Sequence, residues 1–462
     1  MNTALQWARD TFGEAELGDV RRTDRLVRLA EAAASRPAGH VTRVCRDSAE
    51  REGAYRFLER GRFDPNELCR AVGQHAARAS RGESVIHVAV DQTTITIVDR
   101  MKTKDIGRTR YNESHRQGLQ VMNALAMTEQ GVAIGLVAQN WWRRPKQMSP
   151  DYETDQRPDD ERESVLWRRA LTMSLQSLAA VGSKARPWFQ LDRGADANHV
   201  LRWANEHRDE ADVTIRGSYE RRLRGGNRLR KTVLKRRLDG MVHIAVPARR
   251  GLGRSRRFRS ARCGVRYASV TVELDRVKSR ANPIELSVIH VCEHHRHKHN
   301  RIEWWLLTTR EVRSFRGALE VVRAYSHRWR IEELHRTWKS GHCDVESSQL
   351  RSEQPLRVWA TILSAVAARI ERLKHLSRNE PDLLASTELS RDEIDAAIIL
   401  SRTKKHKQGD DLTIGEAVVL IAQLGGYAGR PNKSPPGSQV LGRGFVRVLD
   451  AADVLVVARG SG

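Results

Sequence analysis

A β-branched run from Ser84 to Ile97, with the acid Asp91 in its middle, constrains the fold of this chain more than any other segment. Nearly continuous apolar, β-branched residues are typical of a buried strand. An ionised carboxylate inside such a strand is costly unless a cation or hydrogen-bond donors compensate it. The run therefore predicts a buried strand whose aspartate is strongly paired or functional.

Neighbouring patterns place this strand in a sheet. Apolar runs predict a hairpin between Val121 to Met127 and Gly131 to Val137, and a short strand from Trp188 to Leu191 that ends at Asp192. The segment Glu163 to Val181 is predicted to be a helix. This order of strand, hairpin, helix and strand predicts an α/β domain in which helices cover a mixed sheet.

The segment before the sheet is predicted to be helical and rich in arginine. Arg22 to Ser35 has an apolar helical face, and further helices are predicted to begin after Asp47 and after Asp64. Small helical domains of this kind bind DNA. An ordinary solvated helical bundle has the same composition, so both interpretations stay open here.

Residues 212–310 return to strand-like patterns, at Arg266 to Leu274, Ile284 to Val291 and Ile302 to Thr308. The stretch Arg216 to Arg262 carries 17 Lys or Arg residues and two acids. These features predict a β-strand-rich insertion with basic loops. Beyond it, the pattern turns helical.

Three predictions cover the C-terminal part of the chain. Ser314 to Lys339 is predicted to form a helix, and helical patterning resumes from Leu356 to Leu376. The prolines and glycines between Ser434 and Gly444 predict a loop.

The formal net charge of the chain is +24, which favours a polyanionic partner. Nucleic acid is the first candidate and an acidic membrane surface the second. No apolar run approaches the ~18 residues that a membrane-spanning helix needs, and residues 1–14 lack the apolar core of a signal peptide.

The five cysteines have no CxxC spacing, so we expect a reduced, cytosolic protein without disulfides or a zinc knuckle.

The segment 325–339 combines charged and apolar residues in an uncommon way. Tyr325, Arg328, Glu332 and Lys339 are spaced by 3, 4 and 7 residues, so on a helix they fall within roughly 60° of one another. A charged stripe is usually a solvated face, but this segment also contains apolar residues, namely Trp329, Ile331, Leu334 and Trp338. We therefore predict a packed helix on which Glu332 can bind a metal ion and the two cations can bind phosphate.

Acids from separate elements suit phosphodiester chemistry. Cleavage and transfer with two divalent ions about 4 Å apart require carboxylates that converge from different parts of the fold. Asp91, Asp192 and Glu332 meet this requirement in sequence. An isolated acid at a strand end is more often a turn or helix cap, so the three are informative only together.

The most specific motif is Tyr325-x2-Arg328-x3-Glu332-x6-Lys339. Short motifs along the chain accompany it, namely Gly18-Asp19-x-Arg21-Arg22-Thr23, Glu52-Gly53-Ala54-Tyr55-Arg56-Phe57, Trp141-Trp142-x-Arg144-Pro145, Asp192-Arg193-x-Ala195-Asp196, Trp305-Leu306-Leu307-Thr308 and Leu424-Gly425-Gly426. Over nearly the whole chain these motifs resemble, in the same order, those of the bacterial insertion-sequence DDE transposases of the IS-four class, and in particular its Tn-five-like members.

The resemblance implies an α/β fold with a ribonuclease-H-like catalytic core, a mixed sheet flanked by helices. It implies a helical DNA-binding domain in residues 1–80, a catalytic domain in 81–368 that contains the insertion 212–310, and a helical dimerisation domain in 369–462. The implied DDE triad is Asp91, Asp192 and Glu332, and it would bind two Mg²⁺ ions per site, with Mn²⁺ expected to substitute. Glu333 lies 100° further around the helix, and we expect it to form a structural pair.

The resemblance also implies DNA contacts. Either Trp304 or Trp305 would stack on a flipped base, which is reasonable because base–aromatic stacking contributes ~1–3 kcal/mol. A tryptophan buried in a strand is the alternative for each. Arg336 stands where the family has a lysine. The residues implied to contact DNA are Tyr325, Arg328, Lys339, Arg336, Trp304, Arg216, Arg56, Arg21 and Arg22.

The implied function is cut-and-paste transposition by a homodimer that synapses two transposon ends. Water would cleave at the end, the freed 3′-hydroxyl would form a hairpin, and the reopened end would attack target DNA. The expected partners are double-stranded DNA, as inverted repeats and as target, and a second subunit, in the bacterial cytoplasm at the nucleoid and without a membrane. Two alternatives stay open: a non-catalytic DNA-binding inhibitor or domesticated relative, and a resolving or repair nuclease that cuts without joining.

Overall fold

The structure is a computed structural model that describes residues 3–101, 103–109, 116–144, 163–246, 259–277, 280–294, 301–429 and 435–460. Residues 247–258 of the basic stretch, Pro145 and Ser434 lie outside the described residues. The strands are β1 (Val85–Val98), β2 (Arg116–Met127), β3 (Ala133–Trp142), β4 (Arg186–Leu191), β5 (Asp212–Arg216), β6 (Gly240–Val246), β7 (Arg259–Val277), β8 (Arg280–Glu293) and β9 (Glu303–Thr308).

The strands described here form one nine-stranded mixed sheet, in the order β3-β2-β1-β4-β5-β9-β8-β7-β6. β1 pairs antiparallel with β2 and parallel with β4, and β4 pairs parallel with β5. The predicted buried strand, the hairpin and the strand that ends at Asp192 are thus all present. The strands of the predicted insertion do not form a separate sheet but extend this one through β9.

Alternation along β1 explains why both faces of the sheet are covered. Ile86, Val88 and Val90 face one apolar core, whereas Ala89 and Ile95 face the other. A strand with apolar residues on both faces is stable only between two layers, and helices supply both.

The N-terminal region is helical, as predicted. Its helices are α1 (Thr3–Phe12), α2 (Val20–Ser35), α3 (Val41–Val44), α4 (Ser48–Arg60) and α5 (Asn66–Ala79). Asp47 begins α4 because its carboxylate accepts a hydrogen bond of 2.8 Å from the backbone N–H of Glu50. The N-terminal helices share an apolar core with one face of the sheet, so this region is packed onto the α/β domain.

Helices cover the sheet on both sides. They are α6 (Val165–Ala180), α7 (Asn198–Glu206), α8 (Leu229–Leu234), α9 (Phe315–Ser326), α10 (Trp329–Lys339) and α11 (Glu353–Asn379). α6 and α7 pack against the face that carries Val88, and α10 and α11 pack against the face that carries Ala89.

The segment Ser314 to Lys339 is helical, as predicted, but it forms two helices, so the placement of Tyr325 and Glu332 on one continuous helix is wrong. α9 ends at Ser326 and α10 begins at Trp329, with His327 and Arg328 between them. Both residues keep near-helical backbone angles (φ −70° and −50°), so neither a proline nor a glycine marks the bend in sequence. The His327 ring packs onto Gly131, where an added Cβ would lie 2.3 Å from its Nδ1 atom.

The C-terminal region is helical, with α12 (Arg391–Ser401), α13 (Ile414–Leu424) and α14 (Ser438–Gly460). The predicted loop from Ser434 to Gly444 is wrong from Ser438 onward, because α14 begins there. A Cβ at Gly444 would lie 1.7 Å from the carbonyl oxygen of Ile421, so this glycine allows two helix backbones to touch and does not mark a turn. Within the described residues, no helix combines the length and the apolar composition that crossing a membrane requires.

Trp338 anchors α10 in the core and gives a test of this packing. Its side chain is fully buried, its indole N–H donates to the carbonyl of Ala360 at 2.9 Å, and its ring meets Trp141 edge-to-face at 5.9 Å. We expect Trp338→Ala to lower the free energy of unfolding by about 3–5 kcal/mol in urea titrations. Tyr219→Ala, at a residue that is 67% exposed, should change it by less than about 0.5 kcal/mol. Equal, small losses in both variants would contradict the packed position of α10.

Candidate active site

Asp91 and Asp192 lie side by side because their strands are parallel neighbours. In the register of β1 and β4, Val90 is opposite Leu191, so the next residue on each chain is an acid. Asp192 directly follows β4, and its carboxylate accepts a hydrogen bond of 2.7 Å from the backbone N–H of Gly194. The sheet therefore brings two carboxylates from distant parts of the sequence to one place.

Glu332 joins them from α10. The guanidinium of Arg328 links the helix to the sheet: its Nη2 donates to Oε1 of Glu332 at 2.5 Å, and its Nη1 lies 3.6 Å from Oδ2 of Asp91. Asp91 interacts electrostatically with both Asp192 and Glu332. The three predicted carboxylates thus converge on one site, with one guanidinium between two of them.

The site has an excess of negative charge. Burial raises the pKa of Asp91, Arg328 opposes this shift, and the neighbouring Asp192 and Glu332 add to it; the resulting pKa is about 7, against an ordinary value of 3.8. Clustered carboxylates with too little positive charge fit a divalent cation, which prefers such oxygen donors.

A tighter group of metal-ligating side chains lies next to this site. Among the described residues, Glu333, Glu371 and His375 form the one group whose ligand atoms all lie within 4.8 Å of one another. The ammonium group of Lys374 already contacts both of its carboxylates. Glu333 therefore forms structural pairs, as the sequence predicted, and turns away from the converging carboxylates.

Tyr325 and Arg216 border the carboxylates. Tyr325 is 4% exposed, and its hydroxyl interacts electrostatically with Arg216, Arg328 and Asp192. Burial raises the pKa of Tyr325 above its usual 10, so the group stays a neutral hydroxyl. Within the part of the chain that the structure describes, neither this hydroxyl nor Nε of Arg216 forms a hydrogen bond of good geometry, although the hydroxyl lies beside the guanidinium groups of Arg216 and Arg328. Unpaired buried donors are costly, and an anionic ligand would satisfy them.

Lys339 is placed by a residue that the sequence analysis missed. Its Nζ atom lies 3.2 Å from Oε1 of Glu346 and 3.4 Å from Oγ1 of Thr93, two residues beyond Asp91 on the same face of β1. Glu346 also accepts a hydrogen bond of 2.9 Å from the backbone N–H of Thr96. It belongs to a short 3-10 turn with no motif, so no sequence signal distinguished it.

The structure separates the two tryptophans of β9. Trp305 is 6% exposed and stacks on His290 with a centroid distance of 4.0 Å, so it is a core residue. Trp304 faces the other side, is only partly buried, and meets Tyr325 edge-to-face at 5.2 Å. Of the two candidates for base stacking, Trp304 is the one beside the carboxylate site.

The remaining predicted DNA contacts lie elsewhere. Arg336 is exposed on α10, whereas Arg21, Arg22 and Arg56 belong to the N-terminal helices α2 and α4. Arg56 forms an exposed ion pair with Glu52. The guanidinium of Arg22 donates to two backbone carbonyls, at 2.8 and 2.9 Å, so it also holds the N-terminal domain together.

A buried amide–imidazole chain docks α10 onto the sheet, and the sequence analysis missed it as well. Asn123, the β2 partner of Asp91, lies 3.1 Å from Nε2 of His335, and its carbonyl oxygen accepts from Gln139 at 3.0 Å. Burial lowers the pKa of His335 to about 3, so the ring is neutral and accepts the Asn123 hydrogen bond. No sequence pattern indicated this contact between α10 and β2.

Two regions of the chain match known protein families. Residues 4–63 match the family described as transposase DNA-binding, and residues 365–459 match the transposase Tn5 dimerisation domain. Among solved structures, the chain is similar to the cryo-EM structure of a piggyBac transposase synaptic complex with hairpin DNA. That similarity has a TM-score of 0.40 at 8% identity, over 82% of this chain and 76% of the other.

The raised pKa of Asp91 predicts a pH-dependent cost in the metal-free protein. Between 3.8 and about 7, folded wild-type protein holds a proton that the unfolded chain has released, so its free energy of unfolding falls as the pH rises through this window. With a chelator present, we expect Asp91→Asn to be more stable than wild type near pH 7 and about as stable as wild type near pH 3.8. Urea titrations at both limits measure this, and a difference that does not change with pH would contradict it.

Proposed function

We propose that this chain, a relative of the Tn5-like transposases through the matched regions at both its ends, is a metal-dependent DNA transposase. The observation that carries the proposal is the convergence of Asp91, Asp192 and Glu332 from three separate elements, with the guanidinium of Arg328 between Asp91 and Glu332. A net charge of +24 and the DNA-binding match agree with a DNA substrate, and the dimerisation match agrees with a second subunit.

In this proposal the three carboxylates hold two Mg²⁺ ions, or Mn²⁺ in their place. When bound, such ions stabilise the charges that develop on the attacking and leaving oxygens of a phosphodiester. Tyr325, Arg328 and Lys339 would then bind the phosphates next to the cleaved bond, since Arg328 contacts Glu332, Tyr325 borders Asp192, and Lys339 lies at Thr93, two residues beyond Asp91. The unpaired hydroxyl of Tyr325 supports this role, because a phosphate oxygen would satisfy it.

The finer features of the proposal extend the family resemblance. The part of the sheet around β1 and β4 would be a ribonuclease-H-like core, and cleavage would pass through a DNA hairpin before strand transfer into target DNA. A hairpin requires the end of the duplex to bend sharply, and a base that leaves the stack needs an aromatic surface. Trp304 offers such a surface beside Tyr325.

Removal of one carboxylate is expected to separate cleavage from binding. The substrate is a plasmid that carries the DNA from both flanks of the coding region, incubated with Mg²⁺. Asp192→Asn should abolish nicking and end joining, because the carboxylate needed to hold the cation is lost. Binding of the same DNA in a mobility-shift assay should stay unchanged.

Glu320→Gln is the matched control, since Glu320 is an exposed acid on α9. It should cut and join as wild type does. Cleavage that survives Asp192→Asn would falsify the carboxylate assignment. Wild-type protein that binds DNA and inhibits an active transposase without nicking would favour the non-catalytic alternative, and cutting without joining would favour a simple nuclease.

Trp304→Ala is expected to affect the hairpin step more than the first nick. Loss of a stacking surface worth ~1–3 kcal/mol should reduce the rate of hairpin formation by about 5- to 150-fold, while the initial hydrolysis needs no flipped base. End-labelled DNA resolved on denaturing gels reports both products. If nicking and hairpin formation fall equally, Trp304 acts in binding and not in stacking on a flipped base.

A further inference from the structure

A buried polar cluster behind α10 connects it with two other helices. We call it the Glu371 cluster; it consists of Glu333 and Thr337 on α10, Glu371, Lys374 and His375 on α11, and Ser438 at the start of α14. Glu333 directly follows Glu332 in sequence, so the cluster holds the helix that presents one of the three converging carboxylates. Nothing in the proposed chemistry uses these groups.

Glu371 is the centre of the cluster. Its side chain is fully buried; one oxygen accepts hydrogen bonds from the hydroxyls of Thr337 and Ser438, and the other accepts from Nζ of Lys374. Burial alone would raise the pKa of Glu371, but Lys374 and His375 lower it below its usual range. The carboxylate is therefore ionised and fully satisfied by donors.

The other half of the cluster secures Glu333. Lys374 Nζ lies 3.3 Å from Oε1 of Glu333, and His375 Nε2 lies 3.3 Å from its Oε2. Arg330 donates to the same carboxylate at 2.9 Å. The carboxylates of Glu333 and Glu371 thus meet the cationic groups of Lys374 and Arg330. The charges balance without a bound ion, so the cluster does not form a second metal site.

The cluster also reaches the region that matches the dimerisation domain. Ser438 is the first residue of α14, and its hydroxyl donates to Glu371 at 2.5 Å while it accepts from Lys374 at 3.3 Å. Glu371, Lys374 and α14 all belong to the matched residues 365–459, whereas Thr337 belongs to α10. The carboxylate of Glu371 therefore connects α10 with α14, which lies in the matched region.

We propose that Glu371, Thr337 and Ser438 are positioning residues that fix α10, and with it Glu332, against the start of α14. This inference rests on the proposed function, because it concerns the carboxylate that would hold the cation. Buried polar networks require one arrangement of their members, since an unpaired group is costly. The position of α14 relative to α10 is therefore linked to the orientation of Glu332.

The experiment measures Mn²⁺ affinity of the full-length protein by electron paramagnetic resonance, which requires no turnover. Residues that orient metal ligands indirectly typically change metal affinity by about 10–100-fold when they are replaced. We expect Glu371→Gln to weaken Mn²⁺ binding by about tenfold at the lower end of that range. Ser438→Ala and Thr337→Val each remove one hydroxyl at little steric change and should weaken it several-fold.

Two controls distinguish positioning from general destabilisation. Thr337→Ser keeps the hydroxyl and should retain wild-type Mn²⁺ affinity. Glu388→Gln removes another ion pair of α11, in which Arg372 contacts Glu388 at 2.6 Å; Arg372 also donates to the carbonyl of Ala133, and neither contact involves α10. It should lower thermal stability without changing Mn²⁺ affinity.

The outcomes separate the two proposals. If Asp192→Asn binds Mn²⁺ as tightly as wild type does, the proposed function fails and there is no site for the cluster to orient. If Mn²⁺ binding does depend on Asp192, but Ser438→Ala, Thr337→Val and Glu371→Gln keep wild-type affinity, only the positioning role is overturned. If Glu388→Gln loses as much Mn²⁺ affinity as the cluster variants, the positioning role is also overturned, because the loss would then follow from lower stability alone.

Discussion

The parallel pairing of β1 with β4 is the constraint on which the rest of the site depends. It sets two carboxylates next to each other on neighbouring strands, where burial, together with the nearby acids, raises the pKa of Asp91, so ionisation of this group opposes folding. The guanidinium of Arg328, beside Asp91, and the backbone N–H of Gly194, which donates to Asp192, offset part of this cost. The strand order therefore determines which helices the molecule has to bring to this face.

Ion pairs connect the sheet with the helices that cover it. Arg328, which lies at the junction of α9 with α10, contacts both Asp91 on the sheet and Glu332 one helical turn further along. Lys339, at the far end of α10, is held by Glu346 and not by the three carboxylates. Cations thus border the carboxylates on two sides, as the proposed binding of a negatively charged backbone together with metal ions would require.

The strand around Asp91, the hairpin, and the separation of Glu332 from Glu333 could be predicted from the sequence because each depends on local periodicity. Other features depend on contacts between segments that lie far apart, and no local pattern records them. The bend at His327 retains helical backbone angles, the glycines of α14 serve close packing, and Glu346 and Asn123 act through partners on other elements. The positions of Trp304 and Trp305 required the strand pairing of β9 before one could be assigned to the core.

The contact between Gly131 and His327 has a consequence for how such chains can change over evolutionary time. The tip of the hairpin and the junction of α9 with α10 are almost 200 residues apart, yet a methyl group at one would occupy the ring position of the other. A lineage that loses this glycine must therefore also shrink or reorient the histidine, or the neighbouring arginine will shift. Substitutions at these two positions are expected to arise as pairs, although neither residue contacts DNA or metal in the proposed chemistry.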